Sequence, residues 1–243
     1  MLRPEQLTSS ARRVFEHLAQ EEALRGFTLI GGTALALQIG HRRSEDLDFW
    51  LPGESLDKGV ISALIRRAQN AGLPAMLATP HQRIVAARIN GFDLLSRAQD
   101  YVIAGVKVTF FARHDVAYRY FDAEPRLREE GISFAIMSEA GLFAMKAHVL
   151  HERVRSRDLY DLKTLLVRGR TLEELLRTAQ AADPACSPEY TKSVLIGDVP
   201  LDKGDEGFES IGVTESVQTL QAFFRNAVDE LEQSIAEHIA SPT

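Results

Sequence analysis

The sequence predicts an α+β protein: a mixed sheet with helices over residues 1–135, followed by a helical lobe over residues 136–243. Three observations carry this. β-like apolar runs interleave with helix-period stretches as far as Phe111, and beyond Pro125 four successive stretches read as helices. The length of 243 residues also exceeds one ordinary core of ~100–200 residues, while a composition of 45% hydrophobic and 26% charged residues is that of a folded chain.

Taken in order, Ser10 to about Gln20 carries Val14, Phe15 and Leu18 at helical spacing, with Ser10 as the expected N-cap. Phe27-Thr28-Leu29-Ile30 reads as a short strand that ends at Gly31-Gly32, and Thr33 to Ile39 reads as a helix that stops at Gly40. Asp46 to Leu51 alternates like a half-buried strand, broken by Pro52-Gly53. Leu56 to Ala71 has helix period, whereas Arg83 to Ile89 and Val106 to Phe111 suit strands, with Asn90-Gly91 and Ala104-Gly105 as tight turns. Helices are expected over 138–152, 157–167, 172–181 and 216–239, and an irregular stretch over 184–213. No internal repeat is visible.

A formal charge of −6 argues against a surface that binds nucleic acid all over, while leaving room for a local basic patch. The single cysteine, Cys186, excludes an intramolecular disulfide and fits a reducing compartment, so the cytoplasm is expected. The charged N-terminal stretch lacks an apolar signal segment, and no run approaches the ~18 apolar residues of a membrane span.

The chemistry concentrates in Gly31-Gly32-Thr33, twelve intervening residues, and Asp46-Leu47-Asp48. Alternate strand residues project to one side, so the two carboxylates are suited to hold a hard divalent cation, Mg²⁺ or Mn²⁺. Such a pair is costly unless a cation neutralises it. Upstream, a glycine turn leading into a helix presents backbone N–H groups and the positive end of the helix dipole to a phosphate, with the Thr33 hydroxyl as an additional donor. Each half alone is ordinary turn or surface chemistry. The combination, in this order and spacing, is not.

The stretch Gly31-Gly-Thr-Ala-Leu-Ala-Leu-Gln-Ile-Gly-His-Arg-Arg-Ser-Glu-Asp-Leu-Asp-Phe49 resembles the first motif of the nucleotidyltransferase superfamily, and specifically of the AbiEii-like toxins of toxin–antitoxin type. A second stretch supports the resemblance: Met145-Lys146 through Arg153, then Arg157-Asp158-Leu-Tyr-Asp161-Leu, similar to the family's Lys followed by Arg-Asp-x-x-Asp-Leu. On an unbroken helix Lys146, Arg153, Arg157 and Asp161 fall within about 80° of one another. Ser156 as the cap of a fresh helix is the alternative.

The resemblance implies a nucleotidyltransferase-fold sheet and transfer of NMP from an NTP to a hydroxyl on RNA, such as tRNA, or on protein. It implies a cognate antitoxin as partner. It also assigns Asp46 and Asp48 to metal, and Gly31, Gly32, Thr33 and Ser44 to nucleotide. Lys146 and Arg157 receive the developing phosphate charge, and Asp161 orients Lys146 or accepts a proton. Asp158 reads as a helix-terminus or Arg-pairing residue.

One departure from the family pattern concerns a third carboxylate, since Lys107 and Thr109 stand where one is wanted and Asp93 and Asp100 fall in turn-like segments. It keeps two rival readings open: a catalytically degenerate nucleotide-binding regulator, and an antibiotic-type enzyme with a small-molecule acceptor. His41-Arg42-Arg43 suits a triphosphate, an RNA backbone or solvent equally. His148 and His151 lie three apart without a matching acid or cysteine cluster in the sequence, so zinc is not expected there. Asp202 to Glu209 reads as solvated acidic surface.

Overall fold

Thr8 starts the first helix, α1 (Ser9–Ala19), by accepting a hydrogen bond from the Ala11 amide at 3.2 Å, two residues before the expected cap. Ala11, Val14, Phe15 and Leu18 form its buried stripe. The computed structural model describes residues 2–240, and the chain divides into two compact units, Met1–Leu142 and Phe143–Thr243.

In the first unit β1 (Thr28–Ile30) runs directly into α2 (Gly31–Ile39), which Gly40 ends in the left-handed region at φ 70°. After β2 (Leu47–Pro52), Asp57 caps α3 (Lys58–Asn70) through the Gly59 and Val60 amides. Then come β3 (Ala75–Leu77), α4 (His81–Ile89), β4 (Ala98–Ile103) and β5 (Val106–Arg113). Ala104 and Gly105 both have positive φ, 48° and 83°, the backbone of a tight hairpin between β4 and β5. The unit closes with α5 (Val116–Asp122), β6 (Arg126–Leu127) and β7 (Ala135–Met137).

These strands make one mixed sheet in the order β3-β4-β5-β2-β1-β7-β6, with β2–β5 and β1–β7 parallel and the other pairs antiparallel. One face of its centre is apolar. Phe49 stacks on Phe110 at 5.5 Å between ring centroids and meets Phe134 edge-on at 4.9 Å. A one-residue slip of β2 would carry Phe49 out of this core, so the aromatic cluster fixes the register and the face on which Asp48 stands.

Two expectations for this unit are corrected. Residues 83–89, expected as a strand, belong to α4. Their β-branched Ile84, Val85 and Ile89 favour a strand locally, but no residue of α4 is buried, so no core dictates a period of two. Asp100, expected in a turn-like segment, lies on β4, where Gln99, Tyr101 and Ile103 are the buried set.

The second unit is helical: the remainder of α6 (Glu139–Val149), then α7 (Ser156–Val167), α8 (Leu172–Ala182), α9 (Pro188–Ile196) and α10 (Val217–Ala240). Thr171 and Glu174 form a capping box on α8. Leu159, Leu162, Leu165, Leu175, Val194, Leu195, Leu220 and Phe224 fill the core. Helix α9 falls within the stretch expected to be irregular; Ser187 caps it at the Tyr190 amide and Pro188 occupies its first turn.

Candidate functional site

The first constellation forms where α2 leaves the sheet. Gly31 has φ 73°, and a Cβ there would lie 3.0 Å from Asp48 Oδ2, so both the backbone conformation and the nearby carboxylate call for glycine. A Cβ on Gly32 would collide with the guanidinium of Arg42, which fills the space beside that residue. Arg42 is only 7% exposed, and its Nη1 donates to the Arg43 carbonyl at 3.0 Å. Ile30, at the N-cap of α2, supplies no side-chain acceptor to the first-turn amides. Glycine turn, helix N-terminus, cation and acid therefore occupy one small region.

Asp46 lies one residue before β2 and Asp48 within it; both are partly exposed, beside buried Leu47 and Phe49. Thr33 and Ser44 sit close to them. The Thr33 hydroxyl donates to the Asp46 carbonyl and lies 2.6 Å from Ser44 Oγ. Thr33 has one hydroxyl proton, so Ser44 must be the donor of that second bond. Both protons are committed inside the protein. The two buried hydroxyls fasten α2 to the segment that carries Asp46.

The sheet register brings in a further acid. Ile30, Asp48, Thr109 and Asp100 are cross-strand partners in one row over β1, β2, β5 and β4. Thr109 Oγ1 donates to Asp100 Oδ1 at 3.0 Å. Asp100 thus shares a row with Asp48, two strand spacings or about 10 Å away along the backbone. Asp93 instead makes an exposed ion pair with Lys58 at 2.6 Å, and that hydrogen bond holds its carboxyl below the usual range. The signal for Asp100 in the sequence is the alternation of Gln99, Tyr101 and Ile103, which its polar members obscure.

The second constellation lies in the helical unit. The chain breaks between α6 and α7, which removes the continuous stripe expected from Lys146 to Asp161: Lys146 is on α6, Arg153 in the connection, and Arg157 and Asp161 on α7. Ser156 is the first helical residue of α7, not its cap. Its amide and hydroxyl donate to Asp205 Oδ1 at 2.9 and 3.0 Å, so a distant carboxylate does the capping.

Lys146 is buried, pairing with Asp158 and lying 2.7 Å from Asp161 Oδ2. Asp158 also accepts from Arg153 Nε at 2.9 Å. Burial alone would push the Asp158 carboxyl up, but Lys146 and Arg153 outweigh it and hold the group below the usual carboxylate range. Arg157 turns to the loop before α10, donating to the Gly207 carbonyl at 2.9 Å and Ser210 at 2.8 Å, with Glu206 2.9 Å away. Residues 202–209 are largely exposed, as the reading of a solvated acidic surface expects, with Asp205 partly buried as the cap of α7 and Phe208 buried.

An α+β unit with an acid pair beside a glycine turn, followed by a helical unit built around a buried lysine, is the class that fold and sites define. The family model described as nucleotidyl transferase AbiEii toxin, type IV toxin–antitoxin system, matches residues 13–237, and the chain belongs to that family. An uncharacterized protein of Aquifex aeolicus is 26% identical over 171 residues, 70% of this chain and 72% of its own length. Among solved structures, JHP933 of Helicobacter pylori is 17% identical, with 94% of each chain covered and a TM-score of 0.47. A nucleotidyltransferase toxin of Mycobacterium tuberculosis, MenT4, is 16% identical, covering 90% of this chain and 86% of its own, with a TM-score of 0.46. Among the described residues no helix is long and apolar enough to cross a membrane.

Proposed function

We propose that this protein transfers a nucleoside monophosphate from an NTP to a hydroxyl on RNA, such as tRNA, or on protein, and is the cytoplasmic toxin of a pair restrained by a cognate antitoxin. The bond from acceptor oxygen to the α-phosphorus forms, the bond to the departing pyrophosphate breaks, and the acceptor proton passes to a base. The observation that carries this reading is the Asp48 carboxylate set against the Gly31–Gly32 turn at the start of α2.

Asp46 and Asp48 are hard oxygen donors, partly exposed at a strand start, and this donor set fits Mg²⁺ or Mn²⁺. Bound there, such an ion would supply charge neutralisation at the reacting phosphate. The amides of Gly31 and Gly32 take phosphate oxygens, and Arg42 meets the same anion from the space it already occupies. Thr33 and Ser44 serve the nucleotide indirectly by fixing Asp46. Asp100 serves as the third acid, held by Thr109. In the helical unit Asp161 orients Lys146, and Lys146 and Arg157 carry the positive charge suited to a departing pyrophosphate. Arg157 acts only when its loop partners release it.

One observation favours a second reading, a nucleotide-binding regulator without turnover: Thr109, not a carboxylate, is the partner of Asp48 on β5. Incubation with each α-labelled NTP, Mg²⁺ or Mn²⁺, and total RNA or cell lysate separates the two. Label in RNA or protein with pyrophosphate release supports transfer and identifies the acceptor, and label in small molecules identifies an antibiotic-type enzyme. Calorimetric NTP binding without any labelled product establishes the regulator instead.

A further inference from the structure

Outside the nucleotide site, the helical unit gathers three side chains that the sequence separates by 35 and 38 residues. We propose that His148, Asp183 and Cys186 form a binding site for a borderline-soft divalent cation, with Zn²⁺ the best match. Their ligating atoms all lie within 4.8 Å of one another, and His148 Nε2 is 3.8 Å from Asp183 Oδ2. Tetrahedral zinc, at ~2.0–2.3 Å from nitrogen, oxygen and sulfur, places such atoms about 3.5 Å apart. Closing the observed triangle takes a shift of about 1 Å, less than a rotamer change.

The backbone is prepared for this. Asp183 ends α8, and the Cys186 amide donates to its carbonyl at 2.9 Å, which folds residues 183–186 into a turn. The Ala185 amide donates to Asp183 Oδ1, also at 2.9 Å, so one carboxylate oxygen is oriented from behind while the other lies nearer the imidazole. This is the supporting shell a ligating carboxylate ordinarily has. His148 and Cys186 are buried, whereas the Asp183 side chain is 37% exposed and gives an ion and its remaining water ligand a way in.

The electrostatics agree with the geometry. Asp183 and Glu152 place negative charge near the Cys186 sulfur, which favours a bound cation. A divalent ion reverses that balance and draws the thiol into its thiolate form. The mixed nitrogen, oxygen and sulfur donors disfavour Mg²⁺, so this site and the Asp46–Asp48 pair select different metals. The role we assign is a clasp that ties the end of α6, two residues past Lys146, to the turn after α8. It stands or falls independently of nucleotidyl transfer.

Cys186 is the chain's only cysteine, so any thiolate-to-cobalt charge-transfer band reports on this position alone. The experiment titrates Co²⁺ into the full chain, follows the near-ultraviolet absorbance, and then displaces the cobalt with Zn²⁺. The expected result is a band saturating at one equivalent and abolished by Zn²⁺. His148→Gln and Asp183→Asn should each weaken cobalt binding at least tenfold, and Asp48→Asn should leave it unchanged. Because Asp183 is partly exposed, Asp183→Asn remains informative even if a change at buried His148 prevents folding. No band in the wild type overturns the proposal, as does a band that both variants retain at full affinity, which would mean cobalt held by the thiol alone.

Discussion

Asp48 contributes nothing to the aromatic core beneath it, so its substitution is expected to separate chemistry from folding. Asp46→Asn and Asp48→Asn should each reduce nucleotidyl transfer at least a hundredfold while the melting temperature stays within a few degrees of wild type. Relief of repulsion between the two carboxylates would even raise it slightly in the absence of metal. Gly32→Ala acts differently: the new methyl group would displace the Arg42 guanidinium, and NTP affinity measured by calorimetry should fall with little change in fold. Lys146 is the opposite case. Lys146→Ala removes the buried cation that pairs with both Asp158 and Asp161, a cost of about 3–5 kcal/mol. Arg153→Ala, at a side chain 43% exposed, should cost far less in chemical denaturation. Because the Asp158 carboxyl is held low in the folded state, its stabilisation is present above the ordinary carboxylate range. It is lost as pH falls through the folded value, and a denaturation series in acid should show that loss in wild type and not in Asp158→Asn.

The elements divide by how strongly a core dictates them. Helix α2, the strands on either side of it and α7 were legible because glycine punctuation and buried apolar residues point to the same answer. Helix α4 was not, since it buries nothing, and β4 was obscured by Gln99 and Asp100. The Lys146–Asp158–Asp161 cluster was only half legible. The residue types and their proximity could be read, but the new helix that starts at Ser156 is capped by Asp205, 49 residues downstream. That cap gives a test at this scale: Asp205→Ala should destabilise the helical unit by about 1 kcal/mol, read as a shift in the urea midpoint. The row linking Asp48, Thr109 and Asp100 gives another. Asp100→Asn should lower turnover tenfold or more, and Asp93→Asn, which breaks only an exposed ion pair, should leave it unchanged.

The molecule as a whole belongs to the AbiEii nucleotidyl transferase toxin family and divides into a sheet unit that carries the acid pair and a helical unit that carries the buried lysine. Composition alone set the class of folded chain. The two motifs set the family, and the sheet register, invisible in one sequence, supplied Asp100. The central claim is that the Asp46–Asp48 pair drives nucleotidyl transfer. The most direct test is pyrophosphate release and acceptor labelling from α-labelled NTPs, run side by side on the wild type and on Asp48→Asn with circular dichroism and melting temperature matched. The account predicts robust labelling in the wild type and its loss in the variant. Equal labelling by the two proteins would contradict it.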